Sequence, residues 1–134
     1  MSKGPITCHV LDSSLGKPAD GVEVQLQVYH KGSGSIDVFS PFAQGTKPSS
    51  VTDSNGRCMS LLPPRASDDA KERGKEFSPG TYKIVFKPKE YFERTGRKCF
   101  YPWVEISFEV ENPEEHYHIP LLISPYSFTT YRGS

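Results

Sequence analysis

Val22-Glu23-Val24-Gln25-Leu26-Gln27-Val28-Tyr29 decides the fold. Aliphatic side chains fill every second position. Successive side chains of an extended chain point to opposite faces, so this is a strand with one apolar and one polar face. Trp103-Val104-Glu105-Ile106-Ser107-Phe108-Glu109-Val110 repeats the pattern. Thr81-Tyr82-Lys83-Ile84-Val85-Phe86 is a third strand, entered through the turn Ser78-Pro79-Gly80. Ile6 to Leu11 and Tyr117 to Ile123 supply two more, and Ser127 to Tyr131 completes a terminal hairpin through Ser124-Pro125. Only Pro88 to Gly96 reads as a helix, with proline at its start and glycine at its end. Many short strands and one short helix predict an all-β, two-sheet sandwich.

The 134 residues are the size of one domain, expected to span 1–134, and bury roughly two thirds of the unfolded surface without disulfide or metal. Lys31-Gly32-Ser33-Gly34-Ser35 opens a Gly/Ser/Pro-rich stretch to Ser50, and Pro63 to Ser78 is charged and polar. Both read as exposed connections. Sixteen basic and 16 acidic residues leave no electrostatic footprint for nucleic acid or an anionic membrane. No segment is long and apolar enough to span a bilayer or to act as a signal peptide. Cys8, Cys58 and Cys99 are odd in number and widely spaced, which reads as reduced thiols of an intracellular protein. The cytosol is the expected compartment, with the peroxisome as the alternative.

Few residues carry chemistry. Strand alternation puts Cys8 with Ile6 and Val10 and puts His9 on the opposite face with Thr7 and Leu11, which excludes a Cys8–His9 nucleophilic dyad. Taken alone, His9 reads as a structural histidine. His116 and His118 share a face, and His-x-His on a strand can bind a metal, but a third ligand is wanting. Arg57 follows the turn Asp53-Ser54-Asn55-Gly56; a lone arginine there reads as a solvated charge unless a carbonyl-rich or anionic ligand comes to it. Ser134 has no Gly-x-Ser-x-Gly elbow around it. The ending Tyr131-Arg132-Gly133-Ser134 follows a dense apolar and aromatic run, so it is expected to be tied down and able to offer a hydroxyl, a guanidinium and a carboxylate to a site.

Set beside one another, several stretches are identified with one family. Tyr117-His118-Ile119-Pro120-Leu121-Leu122, Ser124 to Thr130 and Tyr131-Arg132-Gly133-Ser134 closely resemble the 5-hydroxyisourate hydrolases, the transthyretin-related enzymes of urate breakdown. Ile6-Thr7-Cys8-His9-Val10-Leu11-Asp12, Gly16-Lys17-Pro18-Ala19, Thr52 to Arg57 and Gly80 to Phe86 match the same family. The resemblance implies a transthyretin-like sandwich of seven to eight strands with one short helix. It further implies a homotetramer, a dimer of dimers, whose active sites line a channel between the dimers. Transthyretin itself shares the fold but lacks the three features His9, His118 and the Tyr-Arg-Gly-Ser ending.

The reaction so implied is ring opening of 5-hydroxyisourate by water, giving 2-oxo-4-hydroxy-4-carboxy-5-ureidoimidazoline. The family's functional residues fall on His9, Arg57, His118 and Ser134 for catalysis. Substrate binding falls on His9, Arg57, Tyr131, Arg132 and Gly133. His116 has no counterpart. Two imidazoles would move protons, the guanidinium would hold substrate carbonyls and developing negative charge, and Ser134 would orient substrate or water. No cofactor and no metal is called for. The competing readings are a transthyretin-like carrier that binds a small ligand without reacting it, and a metal-binding sandwich using His116 and His118.

Overall fold

The computed structural model describes residues 4–31, 37–41, 50–59, 61–62 and 77–133. Its elements, in chain order, are β1 (Ile6–Asp12), β2 (Lys17–Pro18), β3 (Glu23–Lys31), β4 (Asp37–Pro41), β5 (Ser50–Val51), β6 (Arg57–Cys58), β7 (Gly80–Lys87), α1 (Lys89–Arg94), β8 (Val104–Val110), β9 (Tyr117–Ser124) and β10 (Ser127–Thr130). Seven of these strands are four residues or longer and three are two-residue segments. They form two sheets. One runs β10-β9-β1-β2, with β6 also paired to β1; the other runs β4-β3-β7-β8, with β5 also paired to β3. All pairings are antiparallel except β1 with β9.

The alternation read from sequence is the alternation that packs. Ile6, Cys8 and Val10 of β1, Val24 and Leu26 of β3, Tyr82, Ile84 and Phe86 of β7, and Ile119, Leu121 and Ile123 of β9 are buried in one core between the sheets. Each such side chain taken out of water contributes about 1.5–3 kcal/mol. The helix is shorter than expected: Pro88 stands at its N-cap, and Gly96 (φ +72°) follows its last turn. Tyr91 and Phe92 bury its one apolar face.

Two expectations need correction. The stretch from Lys31 to Ser50 is not only connection, because Asp37–Pro41 pairs with β3 from Gln27 to Lys31 and Ser50 begins β5. Five residues ending in proline, set among glycine and serine, carry too little period-two signal to read as a strand. β8 begins at Val104, not Trp103; Trp103 is exposed and donates from Nε1 to Glu105. Of the charged and polar stretch from Pro63 to Ser78, residues 63–76 lie outside the described residues. Among the described residues no helix is long and apolar enough to cross a membrane.

One buried charge locks β1 to the segment after α1. Asp12 is fully enclosed and accepts from Arg97 Nη2 (2.8 Å), Tyr91 Oη (2.9 Å) and the Ser14 hydroxyl (2.5 Å). Burial alone would raise its pKa; the hydrogen bonds from Arg97, Ser14 and Tyr91 outweigh it and hold the carboxyl at about 2. The folded value lies below the unfolded value of about 3.9, so the stabilisation is complete above about pH 5 and is lost as the pH falls toward 2. Asp12→Asn should therefore lower stability at pH 7 by about 2 kcal/mol, with the gap to the native protein closing on acidification. Denaturant titrations at pH 7, 4 and 3 measure it, and a gap independent of pH contradicts the assignment.

Candidate active site

Sheet parity sorts the functional side chains. β1 turns Ile6, Cys8 and Val10 to the core and Thr7, His9 and Leu11 to the opposite, outer face. β9 does the same with Tyr117, Ile119 and Leu121 against His118 and Pro120. The parallel register pairs Thr7 with His118 and His9 with Pro120. The short antiparallel contact with β6 sets Arg57 directly across from His9. Cross-strand partners project from the same face. His9, His118 and Arg57 thus stand together on the outer face, with the two imidazole centroids 6.3 Å apart.

The turn before Arg57 is built from its own residues. Asp53 Oδ1 accepts from the backbone N–H groups of Asn55 (2.8 Å) and Arg57 (2.9 Å), and Gly56 N–H donates to Asp53 O. Gly56 has φ +75°, and a Cβ there would lie 2.3 Å from the Val10 carbonyl oxygen. Only glycine lets the turn come this close to β1. The same turn aims the Asn55 carbonyl at His9 Nε2, 2.8 Å away. A carbonyl only accepts, so Nε2 of His9 carries a proton and, in the neutral ring, Nδ1 holds the lone pair.

His118 is held from two sides. Its Nδ1 lies 2.7 Å from the Thr7 hydroxyl, which also meets His116 Nε2 at 2.9 Å. The rings of His116 and His118 stack, 18° from parallel with centroids 6.4 Å apart. On the other side, Gly133 N–H donates to the His118 carbonyl, and a Cβ on Gly133 would lie 2.7 Å from His118 Cδ2, the carbon bonded to Nε2. Residue 133 must be small for the chain to run against this imidazole.

Of the residues expected from sequence, His9, Arg57, His118 and Gly133 are brought together. The Arg132 side chain goes elsewhere: its guanidinium lies over the Tyr117 ring (4.6 Å) and pairs with Glu115 (3.0 Å). Tyr117 belongs to the core side of β9, opposite His118. Arg132 and the exposed Tyr131 line a cleft of about 250 Å³ with Ile106, Phe108 and Tyr117. Ser134 lies outside the described residues. Three participants were missed. Thr7 shares the face of His9, a parity visible in sequence, but its residue type carries no signal. His116 was set aside, and the Asn55 contact uses a backbone carbonyl that every residue possesses. Cys8 is buried in the core, where a hydrogen bond with Cys58 and burial push its thiol well above the ordinary range. Among the described residues no group of three or more His, Cys, Asp or Glu is arranged to hold a metal ion.

The HIUase/Transthyretin family model matches residues 6–133. A relative from Mus musculus, 5-hydroxyisourate hydrolase, is 37% identical over 131 residues, 97% of this chain and 95% of that protein. The solved 5-hydroxyisourate hydrolase of Klebsiella pneumoniae superposes with a TM-score of 0.68 at 29% identity, covering 100% of both chains. Transthyretin from Sparus aurata superposes with a TM-score of 0.71 at 26% identity, covering 96% of each.

Because Gly56 combines positive φ with close approach to β1, Gly56→Ala should displace the turn that carries Arg57 and destabilise the fold by at least about 2 kcal/mol. Thermal and denaturant unfolding measure this; a neutral variant would mean the turn is not constrained as described.

Proposed function

This chain belongs to the HIUase/Transthyretin family, and on that premise we propose that it is a hydrolase that opens 5-hydroxyisourate in urate breakdown. The observation that carries the reading is the outer sheet face, where the imidazoles of His9 and His118 meet, Gly133 stands against His118, and Arg57 pairs across from His9. A carrier has no use for paired proton-transfer groups at one point. A ring-opening hydrolase needs them.

The chemistry has three parts. Water adds through its oxygen to an acyl carbon of the six-membered ring, and a base takes its proton. Negative charge builds on the carbonyl oxygen. The carbon–nitrogen bond then breaks and the departing nitrogen receives a proton. Imidazole, with an ordinary pKa near ~6.5, can give and take protons at neutral pH, and such transfer is worth about 10²–10⁴ in rate. His9 and His118 share these transfers. Arg57, exposed and opposite His9, offers a planar fork of donors to the substrate carbonyls and the developing oxyanion. Gly133 itself stands against His118. Ser134 is assigned the orienting of the attacking water, and Tyr131 a contact to substrate. Arg132, turned to Glu115 and Tyr117, keeps at most a supporting part within one protomer.

The outer face is the surface we assign to a neighbouring subunit in a homotetramer, a dimer of dimers with the sites between dimers. Light scattering should give four times the 15.0 kDa chain mass. The free cysteines fit a reducing compartment, the cytosol first and the peroxisome second.

The test follows the ultraviolet absorption of 5-hydroxyisourate made in situ from urate by urate oxidase, against its unaided decay. His9→Ala and His118→Ala should each lower kcat by about 10²–10⁴, and Arg57→Lys by about 10². No acceleration by the native protein would end the hydrolase reading. Gly133→Ala should lower kcat by up to about 10² while leaving the unfolding midpoint nearly unchanged, because the added carbon meets His118 at the edge of the fold. Full activity in that variant would show that His118 tolerates displacement.

A further inference from the structure

The Thr7 hydroxyl stands between two imidazoles. It is completely buried, and its two hydrogen bonds go to His118 Nδ1 at 2.7 Å and His116 Nε2 at 2.9 Å. A hydroxyl has one proton, and a buried proton needs an acceptor. The proton therefore goes to one ring, and the other ring must donate to the oxygen. The two nitrogens that face Thr7 are in opposite states.

The division of labour sets the direction. His9 commits its Nε2 proton to the Asn55 carbonyl, so its remaining nitrogen, Nδ1, is an acceptor. A reaction that removes one proton and delivers another needs a donor from the second ring. That donor is His118 Nε2–H, which exists in the neutral ring only if Nδ1 accepts from Thr7.

We infer that Thr7 and His116 are positioning residues that lock His118 as its Nε2–H tautomer, through the ordered line His116 Nε2–H to Thr7 Oγ1–H to His118 Nδ1. The inference rests on the hydrolase reading for its division of roles: His9 takes the proton of water at Nδ1, and His118 delivers one to the departing nitrogen. The stacked His116 ring fixes the start of the line. Among the described residues, Arg57 pairs across from His9, and the Glu115–Arg132 ion pair lies next to His116 along the chain.

The experiment uses the full chain with 15N-labelled histidine, at a pH of about 8 where imidazoles are ordinarily neutral. Long-range proton–nitrogen correlation spectra then read which nitrogen of each ring holds the proton. His118, assigned by comparison with His118→Gln, should show a protonated Nε2 and a lone pair on Nδ1. Thr7→Val keeps the side-chain shape and removes the hydroxyl; His118 should then sample both tautomers, and kcat should fall about tenfold with KM little changed. Thr7→Ser should restore both the spectrum and kcat. A protonated Nδ1 on His118 in the native protein, or a tautomer unmoved by Thr7→Val, overturns the proposal. A native protein with the expected spectrum but no hydrolysis would sink the hydrolase reading and leave the line standing, so the two failures are distinguishable.

Discussion

The parallel pairing of β1 with β9 is the constraint on which the rest depends. Seven consecutive residue pairs, from Ile6 with Tyr117 to Asp12 with Ile123, join segments more than a hundred residues apart. Closing so long a loop is entropically unfavourable, and the apolar side chains on the core face of both strands supply the opposing term. Register follows from that burial. A slip of β1 by one residue would send Cys8 outward and bring His9 into the core, and a slip of β9 would do the same with Ile119 and His118, where unpaired polar rings are strongly disfavoured. The same contacts that stabilise the sandwich therefore determine that two distant imidazoles share the outer face.

The ends of that pairing are secured by different chemistry. At Asp12 a buried carboxylate is satisfied by Arg97, Tyr91 and Ser14, which ties β1 to α1 and the chain beyond it. At the Thr7 end the polar groups are imidazoles joined through one hydroxyl. A carboxylate held at about 2 stays ionised through the neutral range and makes a fixed strut. Imidazoles exchange protons in that range. Permanent charge thus holds the fold at one end of β1, and the groups suited to proton transfer stand at the other.

Much of the architecture is legible in the chain because strand parity is a local property. Val24, Leu26, Ile84, Phe86, Ile119 and Leu121 announce their faces by alternation alone, and they occupy them. β4 escapes, since Asp37–Pro41 owes its strand character to pairing with β3 and not to its own pattern. The site is legible in a more limited way. Alternation separates His9 from Cys8, but nothing local says that residue 57 will face residue 9, or that residue 118 will stand beside residue 7. Those facts come from long-range register; the family resemblance implied only that His9, Arg57, His118 and the terminal residues serve one site. Arg132 shows the limit of that route: β10 ends at Thr130, parity lapses beyond it, and the guanidinium settles on Tyr117 on the other side of β9.

Backbone likeness does not separate a hydrolase from a carrier here, since this chain superposes about as well on a transthyretin as on a bacterial hydroxyisourate hydrolase. Function on such a sheet is decided by what stands on one face. The core face must be filled with apolar groups in either case. The outer face is under no such demand within a single protomer, so it can carry groups that would be intolerable inside. What sets those groups apart from ordinary solvated side chains is that each is oriented by a partner. The Asn55 carbonyl accepts from His9 Nε2–H, Thr7 meets Nδ1 of His118, and Asp53 shapes the turn that presents Arg57. Orientation of this kind restrains side chains that would otherwise turn freely in water. A passive apolar pocket has little need of it, whereas a reaction whose rate depends on where protons and donors point does.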